Sequence, residues 1–425
     1  MLKLSLPYGK MHLHLEMPEE EIAGVITNEI EAFASEEDGY LIVKKAMANP
    51  IGTKTLRELA KGKQKVVLIA SDHTRPVPSK LIVPFMLEEI RQGNPDADIT
   101  ILIATGCHRG TTQAELVEKL GPDICERERI VVHDCEDDAA MVHMGKLPSG
   151  ADFSIHHLAA QADLLVAEGF IEPHFFAGYS GGRKSVLPGV ASRETVHGNH
   201  CAAFIDDPAC RTGILEGNPI HQDMVYGARA ANLAYIVNVV IDGEKNVLGA
   251  FCGDMEEAHL AGCRFLEQFS LSKPIFAPIV ISTNNGYPLD QNIYQAVKGM
   301  TAAEATVAPG GIIIMVAQCQ DGIGGDAFYQ TFAMEKDPAR IMEGFLETPA
   351  NETVADQWQS QIFARILLKH RVLFVSDAPD DVVRDLHMVP CKTVEEAIAK
   401  ARELLGDPHA KITIIPEGVS SIIRQ

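Results

Sequence analysis

The sequence predicts an α/β protein: two α/β domains with largely parallel sheets and an active-site cleft between them. Three observations carry that prediction. Short runs of β-branched and aliphatic residues recur, as in strands buried on both faces. Amphipathic helical stretches separate many of them, the alternation of a parallel sheet. The chain has 425 residues, 46% of them hydrophobic, enough for two compact cores.

In the first half, Lys65–Ala70, Asp98–Ala104, Ile130–His133, Asp163–Glu168 and Ala234–Ile241 read as strands. Pro78–Gln92 and Gln113–Leu120 carry helical periodicity. Phe265–Pro278 holds two prolines and no clear strand, so it reads as a linker, with a boundary near residue 272. The expected domains are therefore 1–272 and 273–425. In the second, Ile279–Thr283, Gly311–Val316, Arg371–Val375 and Lys411–Ile415 read as strands. Thr301–Ala308, Asp337–Glu347 and Val394–Leu405 read as helices, and no internal repeat is visible.

Charge and cysteine usage exclude several classes. The net charge is -21, which disfavours nucleic-acid backbones and anionic membrane surfaces as partners. An anionic substrate must therefore be drawn in by a local cluster of basic residues. No run approaches the ~20 apolar residues of a membrane span. Lys3, Lys10, His12 and His14 interrupt the start of the chain, so no signal peptide is expected and the cytoplasm is the expected compartment. Nine scattered cysteines, among them Cys107, Cys201 and Cys319, form no Cys-x-x-Cys pair, against zinc and iron–sulfur sites.

In open α/β sheets, ligands bind beyond the carboxyl ends of strands. The first clear strand leads into Ser71-Asp72-His73-Thr74-Arg75-Pro76, the second into Thr105-Gly106-Cys107-His108-Arg109-Gly110. The strand ending at Glu168 leads into Gly169-Phe170-Ile171-Glu172-Pro173-His174. If these strands share one sheet, Asp72, Arg75, His108 and His174 converge on one rim. Two histidines there suit acid–base work, because imidazole titrates near ~6.5. Taken singly, each histidine is as well explained by packing.

Gly178-Tyr179-Ser180-Gly181-Gly182-Arg183-Lys184-Ser185 nearly reads as a P-loop but has Arg183 in place of the second required glycine. What remains is a glycine-rich dibasic loop able to hold an anion. Lys184 beside Arg183 suits a nucleophilic or covalently modified lysine with a lowered pKa. A solvated surface turn is the plain alternative. His197 and His200, three residues apart, can share one face of a helix and bind a metal, although Gly198 weakens that helix. Tyr294, Gln295 and Lys298 fall at helical spacing, either as a carboxylate-binding patch or as an ordinary helix start. Trp358, the single tryptophan, suits core packing or the cap of an apolar pocket.

Taken together, Ser71–Pro78, Ala104–Thr112, Glu168–Gly189 and Asn284–Met300 resemble the nickel-dependent lactate racemase family. The resemblance runs from Pro7-Tyr8-Gly9 to Gly418-Val419-Ser420. It implies a racemase of a small 2-hydroxy acid, most simply lactate. It implies nickel and a pyridinium-3-thioamide-5-thiocarboxylic acid mononucleotide, the nickel pincer nucleotide, linked covalently to Lys184. His200 is then the protein's nickel ligand, and His108 and His174 the acid–base pair. Asp72, His73, Thr74 and Arg75 line the cofactor site, while Arg75, Tyr294, Gln295 and Lys298 bind substrate. Cofactor-maturation enzymes are the implied partners. The implied mechanism moves the C2 hydrogen as hydride to the pyridinium and back, while the histidines move the hydroxyl proton. Rivals are a racemase or epimerase of malate, a longer 2-hydroxy acid or a sugar acid, a kinase or ATPase on the near-P-loop, and a cofactor carrier.

Overall fold

The computed structural model describes residues 1–33 and 37–424. It divides into two compact units. One comprises Ile30–His200 and Ile214–Gln268; the other comprises Met1–Glu29, Cys201–Gly213 and Phe269–Gln425.

The first unit is built on a six-stranded sheet. Its spatial order is Val247–Gly253, Leu233–Ile241, Leu164–Phe170, Lys65–Ser71, Asp98–Ala104, Arg129–Val132. Every neighbouring pair is parallel except the first, an antiparallel edge. The sequences explain this: Val66–Ala70 and all of Leu164–Phe170 are buried, as a strand covered on both faces requires. The helix Ser79–Gly93 lays Ile82, Val83, Met86 and Ile90 on the core that holds Leu68, Ile101 and Val166. Each such side chain removed from water contributes about 1.5–3 kcal/mol. Helix Gln113–Leu120 starts at a capping box, with the Thr112 hydroxyl accepting from Glu115 N–H.

The second unit holds a fully parallel six-stranded sheet, ordered Val389–Cys391, Arg371–Val375, Val307–Val316, Ala277–Thr283, Ile412–Ile415, Ile22–Val25. The hairpin Leu2–Tyr8/Met11–Met17 sends Leu6, Tyr8, Leu15 and Met17 into the core of Ile279, Ile281, Ile314 and Leu373. Among the described residues no helix is long and apolar enough to cross a membrane.

The α/β class with largely parallel sheets is as the sequence predicts, and two local expectations are corrected. The helix expected at Thr301–Ala308 runs instead over Ile293–Glu304, capped by the Asn292 side chain. Val307 and Ala308 belong to the strand Val307–Val316, where Val307 pairs with Ala277. Sheet pairing there overrides the helix propensity of the alanine-rich stretch. Nor is Phe265–Pro278 a bare linker. Helix Glu257–Ser270 continues through Phe265 and buries Cys263 and Leu266, three apart on one face, and Leu271–Ser272 pairs with Ile422–Ile423. The contact-based division crosses near residue 268 but also assigns Met1–Glu29 and Cys201–Gly213 to the second unit, because Ile22–Val25 completes that sheet beside Ile412–Ile415.

Candidate active site

Three adjacent parallel strands, Leu164–Phe170, Lys65–Ser71 and Asp98–Ala104, end on the same edge of the first unit's sheet. Their loops carry Asp72–Arg75, His108 and His174. Asp72 and His108 are in direct contact: His108 Nδ1 lies 2.8 Å from Asp72 Oδ2. A carboxylate only accepts, so Nδ1 carries the proton and donates. The other carboxylate oxygen accepts from the Thr74 hydroxyl at 2.7 Å and from Thr74 N–H at 3.2 Å. Asp72 is buried while the His108 ring is 44% exposed, so the carboxylate holds a ring whose Nε2 edge is reachable. Burial pushes the Asp72 carboxyl up, but the His108 and Thr74 hydrogen bonds and Arg75 outweigh it and hold it below its usual range.

His174 pairs differently. Its Nδ1 accepts from Ala177 N–H at 3.2 Å, and its Nε2 lies 3.1 Å from Lys184 Nζ. A neutral ring whose Nδ1 accepts carries its proton on Nε2. That proton points at Lys184 Nζ, which accepts it only as an uncharged amine, the form in which a lysine attacks an acyl carbon. The two histidines therefore present opposite polarity. In the neutral form of each ring, His108 Nε2 is a lone pair and His174 Nε2 is an N–H.

The Lys184 segment is a short 3₁₀ turn, Gly182–Ser185, rather than the helix start of a P-loop. Gly181 and Gly182 have φ of 76° and 54°. A Cβ on Gly182 would lie 2.8 Å from the His259 ring, so glycine is required twice over. Arg183 is not a solvated cation beside the lysine, because its side chain turns inward and is 1% exposed. The Lys184 turn reaches the His108 loop through Gly106 N–H, which donates to Gly189 O at 3.0 Å.

His200 closes helix Arg193–Asn199 as its C-cap, with Ser192 capping the other end. His197 lies within that helix. Burial, the largest cause, pushes the His200 imidazole down to about 3, so it stays neutral at physiological pH. Phe176 gathers the group: its ring centroid lies 4.5 Å from that of His174 and 5.0 Å from that of His200, with Lys184 Nζ at 5.7 Å. His73 Nδ1 meets Thr111 Oγ1 at 3.1 Å, and exposed Arg75 receives Lys119 Nζ on its carbonyl at 3.1 Å.

In the second unit, Tyr294, Gln295 and Lys298 lie on helix Ile293–Glu304, all partly exposed. The Tyr294 hydroxyl donates to Asp356 Oδ1 at 2.6 Å, and burial and that carboxylate push its pKa up. Trp358, in helix Gln357–Lys369, is half-buried and hydrogen-bonds to the Tyr294 side chain.

Two supporting residues escaped the sequence reading. Glu168 is 1% exposed, and its Oε1 accepts from both Ser71 N–H and Ser71 Oγ at 2.7 Å, fixing the residue before Asp72. Lys119 braces the Arg75 carbonyl from the end of its helix. Their signal is weak: a glutamate ending an apolar strand, and a lysine in a last helical turn.

Among the other histidines, His133 and His156 are buried and His221 is half-buried beside Arg183, and loss of solvent pushes them down to about 4, about 4 and about 3. Below the ordinary value near ~6.5 the unfolded chain binds protons that these rings do not, so stability falls with pH. The loss begins near pH 6.5 and levels off near pH 4 to 3, where the folded rings also titrate. Thermal melts of the apoprotein should therefore show Tm dropping steadily from pH 7 to pH 4. A flat Tm over that range would count against the burial of these rings.

The lactate racemase N-terminal domain model matches residues 8–213, and the lactate racemase C-terminal domain model matches residues 272–423. A lactate racemase of Thermoanaerobacterium thermosaccharolyticum is 51% identical over 429 residues, covering 100% of both chains. One of Lactiplantibacillus plantarum is 51% identical over 425 residues, again covering 100% of both. The structure of the T. thermosaccharolyticum lactate racemase apoprotein superposes with a TM-score of 0.95 at 50% identity, covering 100% of both chains. A Thermotoga maritima protein shares the fold, with a TM-score of 0.66 at 18% identity over 92% of this chain and 100% of that one.

Proposed function

The chain belongs to the lactate racemase family and is an isomerase, and from that premise we propose that it interconverts the D and L forms of a small 2-hydroxy acid, most simply lactate, using a nickel pincer nucleotide tethered to Lys184. The observation that carries the reading is the opposite polarity of the two histidines. His108 Nε2 presents a lone pair that can take a proton and His174 Nε2 an N–H that can meet an oxygen, at the ends of the two strands that flank Lys65–Ser71 in the sheet. A racemase handles its substrate from two sides, so one ring takes the hydroxyl proton while the other meets the oxygen with an N–H, and a ring gives a proton back only as the imidazolium.

The donor set fits the implied cofactor. Lys184 offers an amine held as a hydrogen-bond acceptor, and His200 a buried neutral imidazole. Among the described residues no group of three or more His, Cys, Asp or Glu converges as for a metal ion. His200 would then hold a metal whose other ligands the organic group supplies, and soft sulfur with one imidazole suits square-planar Ni(II). When bound, the cofactor supplies a hydride acceptor for a C2 hydrogen too weakly acidic for simple deprotonation. The protein's own part is orientation and proton movement. Asp72 keeps the His108 ring in its accepting tautomer. Exposed Arg75 offers a guanidinium for the substrate carboxylate, against an overall charge of -21. The proposal extends to Tyr294, Gln295 and Lys298 as substrate contacts on the strength of the resemblance.

The test follows the C2 hydrogen. Product formed in heavy water by nickel-loaded, cofactor-matured protein should keep its original C2 hydrogen, read by NMR at early times. Deuterium at C2 within the first turnover would replace hydride transfer with two-base proton abstraction. A panel of single-enantiomer 2-hydroxy acids run alongside identifies the substrate. His108→Ala and His174→Ala should each slow both directions on the order of 100-fold or more. A near-normal rate in either variant would remove that ring from the reaction.

A further inference from the structure

Among the described residues Arg183 is the largest fully buried side chain, and no carboxylate among them hydrogen-bonds or ion-pairs with it. A buried cation without a counter-ion is costly unless every donor is satisfied. Here the chain itself supplies an acceptor to each of the three nitrogens. Nη2 donates to Ala177 O at 2.7 Å and Nη1 to Tyr179 O at 2.7 Å. Nη1 also lies 3.4 Å from Ser180 O, 3.3 Å from Gly181 O and 3.1 Å from His259 Nε2. Nε donates to His221 Nδ1 at 3.1 Å. The loop before Lys184 is thus wrapped around one guanidinium.

One of those contacts leads to the reacting edge. The Ala177 residue that gives its carbonyl to Arg183 gives its N–H to His174 Nδ1 at 3.2 Å. We propose that Arg183 is a positioning residue for His174: by gripping Ala177 it aims that N–H at Nδ1, fixing the ring's orientation and the tautomer that places the proton on Nε2, facing Lys184. The planar fork is what makes arginine necessary, since it reaches Ala177 O, Tyr179 O and His221 in three directions at once. A lysine keeps the charge and loses that geometry. The inference rests on the reading of His174 as an acid–base residue, but its primary test does not.

The primary test is ¹⁵N NMR of the histidine rings in apoprotein, with the His174 signal assigned by its loss in His174→Asn. Wild type should show an unprotonated Nδ1 and a protonated Nε2 on His174. A wild-type ring protonated on Nδ1 overturns the proposal without recourse to any variant. In folded Arg183→Lys the His174 ring should move toward the other tautomer while His108 keeps its own. An unchanged His174 ring in folded Arg183→Lys also overturns it. In cofactor-matured Arg183→Lys, kcat should fall about tenfold or more with KM within about twofold, as for loss of a supporting contact rather than of binding. If His174 is not an acid–base residue, Arg183→Lys still shifts its tautomer while His174→Asn keeps kcat, so the two failures are told apart.

Discussion

Lys184→Ala is expected to yield protein with no covalent cofactor and no racemase activity. Lys184 is the amine that His174 Nε2 faces at 3.1 Å. A hydrogen bond of that polarity favours the uncharged, nucleophilic amine, and the turn that presents it is fixed by Gly181, Gly182 and the inward-turned Arg183. Alanine removes the nucleophile without disturbing the turn, since Lys184 N–H still donates to Gly181 O. Intact mass of protein co-expressed with the maturation enzymes reads the adduct. Racemisation should fall to background, a loss of at least about 10⁴-fold given the accelerations typical of enzymes. An adduct of full occupancy on the variant would move the tether elsewhere. The companion His200→Ala should keep the organic adduct and lose nickel on dialysis, because only the protein's own ligand is gone.

How much of this was legible in the sequence follows from the range of the interactions. The strands Lys65–Ser71, Asp98–Ala104 and Leu164–Phe170 are written locally, as unbroken apolar runs that only a sheet covered on both faces can bury. Parallel order then brings their carboxyl-end loops to one edge, so Asp72, His108 and His174 could be collected from strand endings alone. The pairing of partners was not legible. His108 meets Asp72 across 36 residues, and nothing local says that this aspartate orients a histidine rather than lining a cofactor site. Arg183 shows the same limit more sharply. In sequence it is the residue that spoils a P-loop; in space it is the core around which that loop is wound. Longest in range is the pairing of Ile22–Val25 with Ile412–Ile415, which no window along the chain detects. At Thr301–Ala308 local propensity pointed to helix, and the sheet claimed Val307 instead.

Asp72→Asn should be nearly as damaging as loss of the tether, although it changes one atom and keeps the shape. Asp72 Oδ1 accepts from both Thr74 N–H and the Thr74 hydroxyl, so an asparagine in its place keeps both contacts by turning its oxygen toward Thr74. Its NH₂ then faces His108 Nδ1, where the wild type has a carboxylate oxygen at 2.8 Å. Two donors cannot share that contact, so Nδ1 must become the acceptor and the ring proton moves to Nε2. His108 would then present an N–H where it presented a lone pair, and both histidines would be proton donors at once. Flipping the amide restores the His108 contact and lets the Thr74 hydroxyl turn to accept, but it sets NH₂ against Thr74 N–H, so that rotamer is the poorer one. The same change in a Ser-His-Asp triad, where a wrong tautomer is also the cause, lowers kcat about 10⁴-fold. We expect kcat to fall by about 10³- to 10⁴-fold in both directions, with the covalent adduct, bound nickel and KM close to wild type. Steady-state racemisation of each enantiomer by matured protein is the measurement. A variant within about tenfold of wild-type kcat would mean that Asp72 does not set the tautomer of His108, and the assignment of His108 as the proton acceptor would go with it.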